Sequence, residues 1–332
     1  MKRGIELRSL LDREGTKIQV SGHETFPCRY GWLKKAYDAV IAEEGPVDEA
    51  GQQAFSPSVA IAEFGVGKNM VAAIRHWALA CGVVEPIGER VGRQEILGPT
   101  RLGHALFGGG DPYLELPGSL WLLHWRLAAL PGRATAWYFA FNEFNDAIFT
   151  KETLSAKLWE RLAELRDSGR LANSRIAKTT VDRDAECMVR TYVTRRPRKG
   201  SFEDGLECPF AELGLIGSLA GGALQFRRGP KPTLPDEVFA MALTEFWRSQ
   251  FPSRGSLSVE VLAHEPGSPG RVFLLDEDSL VERLERIDGV SDGSFVWDEG
   301  AGLRQVSRRL ELEKIDPLRL AEPIFEQFEV AA

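Results

Sequence analysis

Two stretches of the chain concentrate residues capable of proton transfer or phosphoryl chemistry. The first is Gly22-His23-Glu24-Thr25-Phe26-Pro27-Cys28-Arg29-Tyr30, which packs a base, a carboxylate and a cation into one turn before a helix. Imidazole titrates near neutrality, so His23 beside Glu24 suits general acid–base work, and Arg29 suits a negative charge developing in a transition state. The same residues also make an ordinary structured turn, with His23 hydrogen-bonded and Arg29 paired to Glu24. The second stretch holds Asp182, Asp184 and Glu186 among basic neighbours. On a helix Asp182 and Glu186 share a face, an arrangement able to hold Mg²⁺ or Mn²⁺ and activate water against a phosphodiester. Acids early in a helix also complement its dipole, which is a purely structural role.

The elements that must position these groups follow from periodicity. Residues 17–20 alternate as a short strand, and residues 30–42 carry Trp32, Leu33, Ala36 and Val40 at helical spacing. Residues 58–64, a Gly65-Val66-Gly67 turn and residues 68–81 predict two helices, the second with Met70, Ile74, Trp77, Ala78 and Cys81 on one face. A strand from Gly82 to Glu85, a basic turn holding Arg90 and Arg93, and a return strand near residues 95–97 complete the order of a winged helix-turn-helix. Residues 174–192 overlie this pattern after a shift of 115, so that Val66 meets Val181, Lys68 meets Arg183, Ile74 meets Val189, Arg75 meets Arg190 and Trp77 meets Tyr192. Thr180 is the expected N-cap of this second recognition helix, with residues 154–165 as the helix before it. Between the two modules, residues 120–149 read as buried helices. A Gly229-Pro230-Lys231-Pro232 linker precedes a third unit with helices at 236–251 and 280–287 and a hairpin through 294–297 and 303–306, possible ground for another winged helix. The expected fold is therefore mainly α with small β-hairpins (α+β), tandem winged helix-turn-helix modules joined by helices, divided at 1–110, 111–230 and 231–332.

Composition bounds the function. The 332 residues, 43% hydrophobic and 27% charged, suffice for several globular units. A net charge of −7 disfavours nucleic-acid binding as a whole-molecule property. Locally the balance reverses: residues 175–199 hold eight basic residues against three acids, ending in Arg195-Arg196-Pro197-Arg198-Lys199. Lys68, Asn69, Arg75, Arg90, Arg93, Arg175, Lys178, Arg183, Arg190, Arg195, Arg196, Arg198 and Lys199 are the expected DNA contacts, because recognition-helix N-termini combine backbone N–H groups with cations. A basic run is also a common solvated loop, and winged modules also join proteins. Gly65-Val66-Gly67-Lys68-Asn69 lacks the spacing of a nucleotide-binding loop. Cys28, Cys81, Cys187 and Cys208 lack paired spacing, so no structural zinc is expected. Without a membrane-length apolar run or a signal peptide, a cytoplasmic protein is expected.

Beyond these patterns, Gly22 to Lys35 (GHETFPCRYGWLKK), Phe64 to Met70 (FGVGKNM), Ile74-Arg75 with Trp77, Leu120 to Trp125 (LWLLHW), the 181–192 segment and Phe295 to Val306 (FVWDEGAGLRQV) resemble SspB-type proteins of single-stranded DNA phosphorothioation systems, over nearly the whole chain. The resemblance implies a DNA-nicking component in phage defence, acting beside a cysteine desulfurase, an ATPase and a sulfur-transferring ATP pyrophosphatase. It transfers no catalytic residues; His23, Glu24, Arg29, Asp182, Asp184 and Glu186 are chosen by chemistry alone. Two other expectations stand beside it: a non-catalytic DNA-recognition subunit, and a winged-helix transcriptional regulator that dimerises on a palindrome.

Overall fold

The apolar stripes predicted from the sequence become helices packed around a shared core of aromatic side chains. The computed structural model describes residues 9–42, 55, 57–88, 95–171, 176–193, 208–300 and 302–329. Arg90, Arg93, Arg175, Arg195, Arg196, Arg198 and Lys199 lie outside the described residues.

The first region comprises α1 (Trp32–Ala42), α2 (Pro57–Phe64), α3 (Lys68–Ala80) and the antiparallel pair β1 (Val84–Pro86) and β2 (Leu97–Pro99), followed by α4 (Arg101–Ala105). Gly65, at φ +65°, makes the turn between α2 and α3, a conformation that costs glycine little. The predicted strand at residues 17–20 does not form. Its backbone instead joins a helix start: the Gln19 amide donates to Thr135 Oγ1 at 2.9 Å, and the Gln19 carbonyl accepts from the Thr135 amide at 3.2 Å. With these groups satisfied side-on, residue 19 has no ladder to join.

Helices α5 (Pro117–Ala128) and α6 (Thr135–Asn142) are the buried centre, and every residue of α6 is buried. An element apolar on all faces belongs inside a larger protein. β3 (Ile148–Phe149) leads to α7 (Lys151–Asp167), which packs against α8 (Lys178–Tyr192). Thr150 caps α7 by accepting from the Thr153 amide. The cap expected at Thr180 falls three residues earlier, at Ala177, because the Thr180 amide already bonds to the Ala177 carbonyl inside the first turn. β4 (Ile216–Ser218) and β5 (Leu224–Phe226) join β3 in a sheet of order β3-β5-β4, which no alternating pattern in the sequence had announced.

The last region contains α9 (Asp236–Gln250), β6 (Ser256–Ser258), α10 (Val259–His264), α11 (Pro269–Val272), α12 (Glu277–Glu285), α13 (Ile287–Val290), β7 (Phe295–Gly300) and β8 (Leu303–Arg308), then α14 (Pro317–Ala321) and α15 (Pro323–Glu329). The predicted hairpin is β7-β8, and β6 adds to its other edge to give the order β6-β8-β7. The Gly229–Pro232 stretch is tied down rather than loose. Buried Lys231 donates to the carbonyls of Arg227, Gly229 and Leu274 at 2.8 to 3.0 Å. Helices with small antiparallel sheets make the fold α+β, as expected. No helix among the described residues is long and apolar enough to cross a membrane.

Candidate functional site

The segment from Ser21 to Thr25 concentrates more positive-φ backbone than any other among the described residues. Ser21 (φ +82°), Gly22 (+112°), Glu24 (+48°) and Thr25 (+68°) all adopt positive φ. Such angles cost non-glycine residues of order 1–3 kcal/mol each and persist only where surrounding contacts enforce them.

Those contacts centre on His23, which is only 2% exposed. The Thr25 amide donates to His23 Nδ1 at 3.0 Å, so that nitrogen accepts and the ring proton sits on Nε2. His23 Nε2–H then donates to Asp184 Oδ1 at 2.7 Å, and the same oxygen accepts the Ser21 amide at 2.8 Å. Asp184, also 2% exposed, thus closes the turn onto α8. Trp77 Nε1 donates to the Phe26 carbonyl at 2.9 Å, and Arg190 donates to the Thr25 carbonyl at 3.2 Å, fixing the far end of the turn. The Trp137 ring meets the His23 ring edge-on at 5.7 Å.

Helix α3 supplies the remaining wall. His76 lies 5.8 Å from His23 between ring centres. A β-carbon on Gly22 would sit 2.5 Å from His76 Nδ1, so glycine is required there by space as well as by φ. Burial first, and then the nearby basic groups His23, Arg133, Arg75 and Lys17, push His76 down to about 3, which keeps it neutral.

The candidate residues divide by exposure. Glu24 is exposed on the strained turn and forms no ion pair or side-chain hydrogen bond among the described residues. The proposed Glu24–Arg29 pair is not made: the Arg29 guanidinium lies over the Trp32 ring at 5.6 Å. Asp182 is exposed and accepts from Ser155 Oγ (2.5 Å) and from Lys178, which together hold its carboxyl below the usual range. Glu186 stands one turn further along α8 and is half-buried. Lys68, Asn69 and Arg183 are exposed, while Arg75 is half-buried and bonds to Glu95 at 3.0 Å. The structure thus joins His23 to Asp184, residues 161 positions apart, and leaves Asp182 facing Lys178.

Sequence reasoning missed Gln19 and Arg133, and no local motif marks them; helical spacing puts His76 with Asn69, Ala72 and Arg75 on the outward face of α3, yet it is only 6% exposed because that part of the helix packs against the turn. Sequence reasoning also left the cysteines apart. Cys28, Cys81, Cys187 and Cys208 are free and buried within electrostatic reach of one another, and burial pushes the thiols up, Cys208 to about 12. Raised thiols are poor nucleophiles.

No group of three or more His, Cys, Asp or Glu side chains is placed to hold a metal ion among the described residues. Asp182 is bonded to an ammonium and Asp184 to an imidazole. As they stand these donors do not form a metal cage, and no reaction step here runs through one.

A family model described as a protein of unknown function (DUF4007) matches residues 20–322. The chain belongs to the DUF4007 family. Among solved structures it is similar to SspB: a magnesium ion-bound SspB crystal structure is 31% identical, with a TM-score of 0.78, covering 97% of this chain and 90% of that one. A second SspB crystal structure, also 31% identical, gives 0.74 over 94% of this chain and 88% of that one. The resemblance to SspB-type proteins is thereby borne out. A comparison with curated protein sequences finds no match.

Proposed function

We propose that this chain is the DNA-nicking component of a phosphorothioation system. Its similarity to SspB over nearly its whole length carries this reading. The site geometry supports it: a strained turn, locked from beneath by His23 and Asp184, holds at the surface a Glu24 carboxylate that is unpaired among the described residues, and Arg190 bonds to the carbonyl of the next residue. In the proposed reaction water attacks phosphorus as Glu24 takes its proton, one P–O ester bond breaks, the departing sugar oxygen takes a proton from solvent to leave as an alcohol, and Arg29 offsets charge in the transition state. His23 and Asp184 are positioning residues in this scheme, because both nitrogens of His23 are committed.

DNA is proposed to lie against α3 and α8. In this reading α2, α3 and the β1-β2 pair form a winged helix-turn-helix and α7-α8 a second helix-turn-helix, with Lys68, Asn69, Arg183 and Arg190 toward the phosphates. A cysteine desulfurase, an ATPase and an ATP pyrophosphatase sulfurtransferase are the proposed partners.

The test is conversion of supercoiled plasmid to open circles by the pure protein, with Mg²⁺, Mn²⁺ or EDTA. Nicking is expected in wild type and should be lost in Glu24→Gln while DNA binding is kept, and the Mg²⁺, Mn²⁺ and EDTA arms report whether a cation takes part. A second reading, a recognition subunit without chemistry, is favoured by the sealed state of His23 and the absence of a convergent metal cage among the described residues. Tight DNA binding without nicking under any condition would establish that reading and overturn the enzymatic one.

A further inference from the structure

The groups acting most strongly on His76 are all basic: His23, Arg133, Arg75 and Lys17. Three of them are cations, and they come from separate parts of the chain. Lys17 precedes the strained turn, Arg75 lies on α3, and Arg133 stands in the loop between α5 and α6. The paired hydrogen bonds between Gln19 and Thr135 hold the first and last of these segments side by side. Gathering like charges costs free energy, and proteins do so where an anion is to be bound.

The anion is incompletely supplied from within. Arg75 bonds to Glu95 at 3.0 Å, and Glu95 also acts on Arg133, but Arg133 itself makes no hydrogen bond or ion pair among the described residues. Burial holds its guanidinium below the ordinary range, so the charge is partly desolvated without a direct partner. Beside it, buried His76 has a second unpaired group. Gln19 Nε2 approaches His76 Nδ1 at 3.5 Å, whereas His76 Nε2 has no hydrogen-bond partner among the described residues, although the residue is only 6% exposed.

Arg133 also lines a groove of about 580 Å³ together with Leu79, Gly82, Thr100 and Arg101. The other arginines of this groove are engaged. Arg126 pairs with Glu245, Arg101 pairs with Asp316, and Arg248 donates to the carbonyls of Leu312 and Ile315. Among the described residues Arg133 alone of these arginines is uncommitted.

We infer that Arg133, with Arg75 and Lys17, forms a phosphate-binding subsite that receives the backbone of a nucleic-acid strand beside the 21–25 turn. The planar guanidinium matches two phosphate oxygens, and the neighbouring cations balance the charge of a phosphodiester. This deepens the proposed function: the subsite fixes a phosphate adjoining the one at Glu24, and so sets the register of the strand.

The inference rests on the DNA-binding reading, and the experiment separates the two. Fluorescence-anisotropy titrations of the full chain with labelled single-stranded and duplex oligonucleotides, across a salt series, compare wild type with Arg133→Ala, Arg133→Gln and Arg133→Lys. Arg101→Ala, a groove arginine already paired with Asp316, is the control, and thermal melts confirm that each variant is folded. The expected result is at least about a tenfold loss of affinity in the Ala and Gln variants, partial recovery in Lys, and no change in the control. The salt slope should fall by about 0.9 for duplex or 0.7 for single strand, the value of one phosphate contact. Unchanged affinity and slope in a folded Arg133 variant would overturn the subsite and leave DNA binding standing. Wild type that binds no oligonucleotide would overturn the DNA-binding reading and the subsite with it. Stabilisation by inorganic phosphate alone, with oligonucleotide affinity indifferent to Arg133, would also overturn it.

Discussion

Helices α3 and α8 share an apolar register yet treat the strained turn differently. After a shift of 115, Trp77 and Tyr192 occupy equivalent places. Both are buried, and both meet the Phe210 ring, at 6.5 and 6.1 Å. Each helix then sends one polar side chain toward His23. From α8 comes Asp184, whose carboxylate closes two hydrogen bonds at once. From α3 comes His76, with an open nitrogen and cations around it. The apolar face decides where a helix docks, and one polar residue decides whether the contact seals the turn or leaves it receptive.

Removing the sealed contact should have the largest effect. Asp184→Ala strands His23 Nε2–H and the Ser21 amide in the interior and is expected to cost about 3 kcal/mol. Urea denaturation measures it, and a loss under about 1 kcal/mol would show that Asp184 does not hold the turn. Next comes Gly22→Ala, which meets both the φ of +112° and the His76 ring. About 2 kcal/mol is expected, partly recovered when His76→Ala is added, because the two residues share one space. Simple additivity in that double mutant would place the cost in the backbone alone.

The open contact should be visible as pH dependence. His76 is held near 3 and His124, buried and bonded to Tyr192 and the Val272 carbonyl, near 4. Unfolded, both return to about 6.5. Since the unfolded chain binds more protons, their contribution is complete above pH 6.5 and declines as pH falls toward 4. Each histidine should contribute up to about 1.4 kcal/mol per pH unit in that window. Stability curves for His76→Gln should lose one histidine's share of the slope, and an unaltered slope would refute the burial of a neutral ring. The smallest effect belongs to the exposed pair on α8. Lys178→Met should change stability by less than about 1 kcal/mol. It should still raise the Asp182 titration, seen by carboxyl NMR, since Lys178 is the first cause of its depression.

Much of the framework was legible before any coordinates. Helical spacing located α1, α3, α8 and α9, and the paired apolar runs located β7 and β8, because burying one face imposes a period that survives in the sequence. The turn at residues 21–25 was legible as a motif, but its strain and its bond to α8 were not. Asp184 reads locally as one of three acids on a helix; only the docking of that helix separates it from Asp182, which ends beside Lys178. The cluster of Lys17, Arg75 and Arg133 has no sequence signature at all. Sequence fixes short-range pattern because helices and strands answer to neighbouring residues. Charges brought together from segments more than fifty residues apart depend on the packing of the whole chain, and only the tertiary structure decided which met a partner and which remained open.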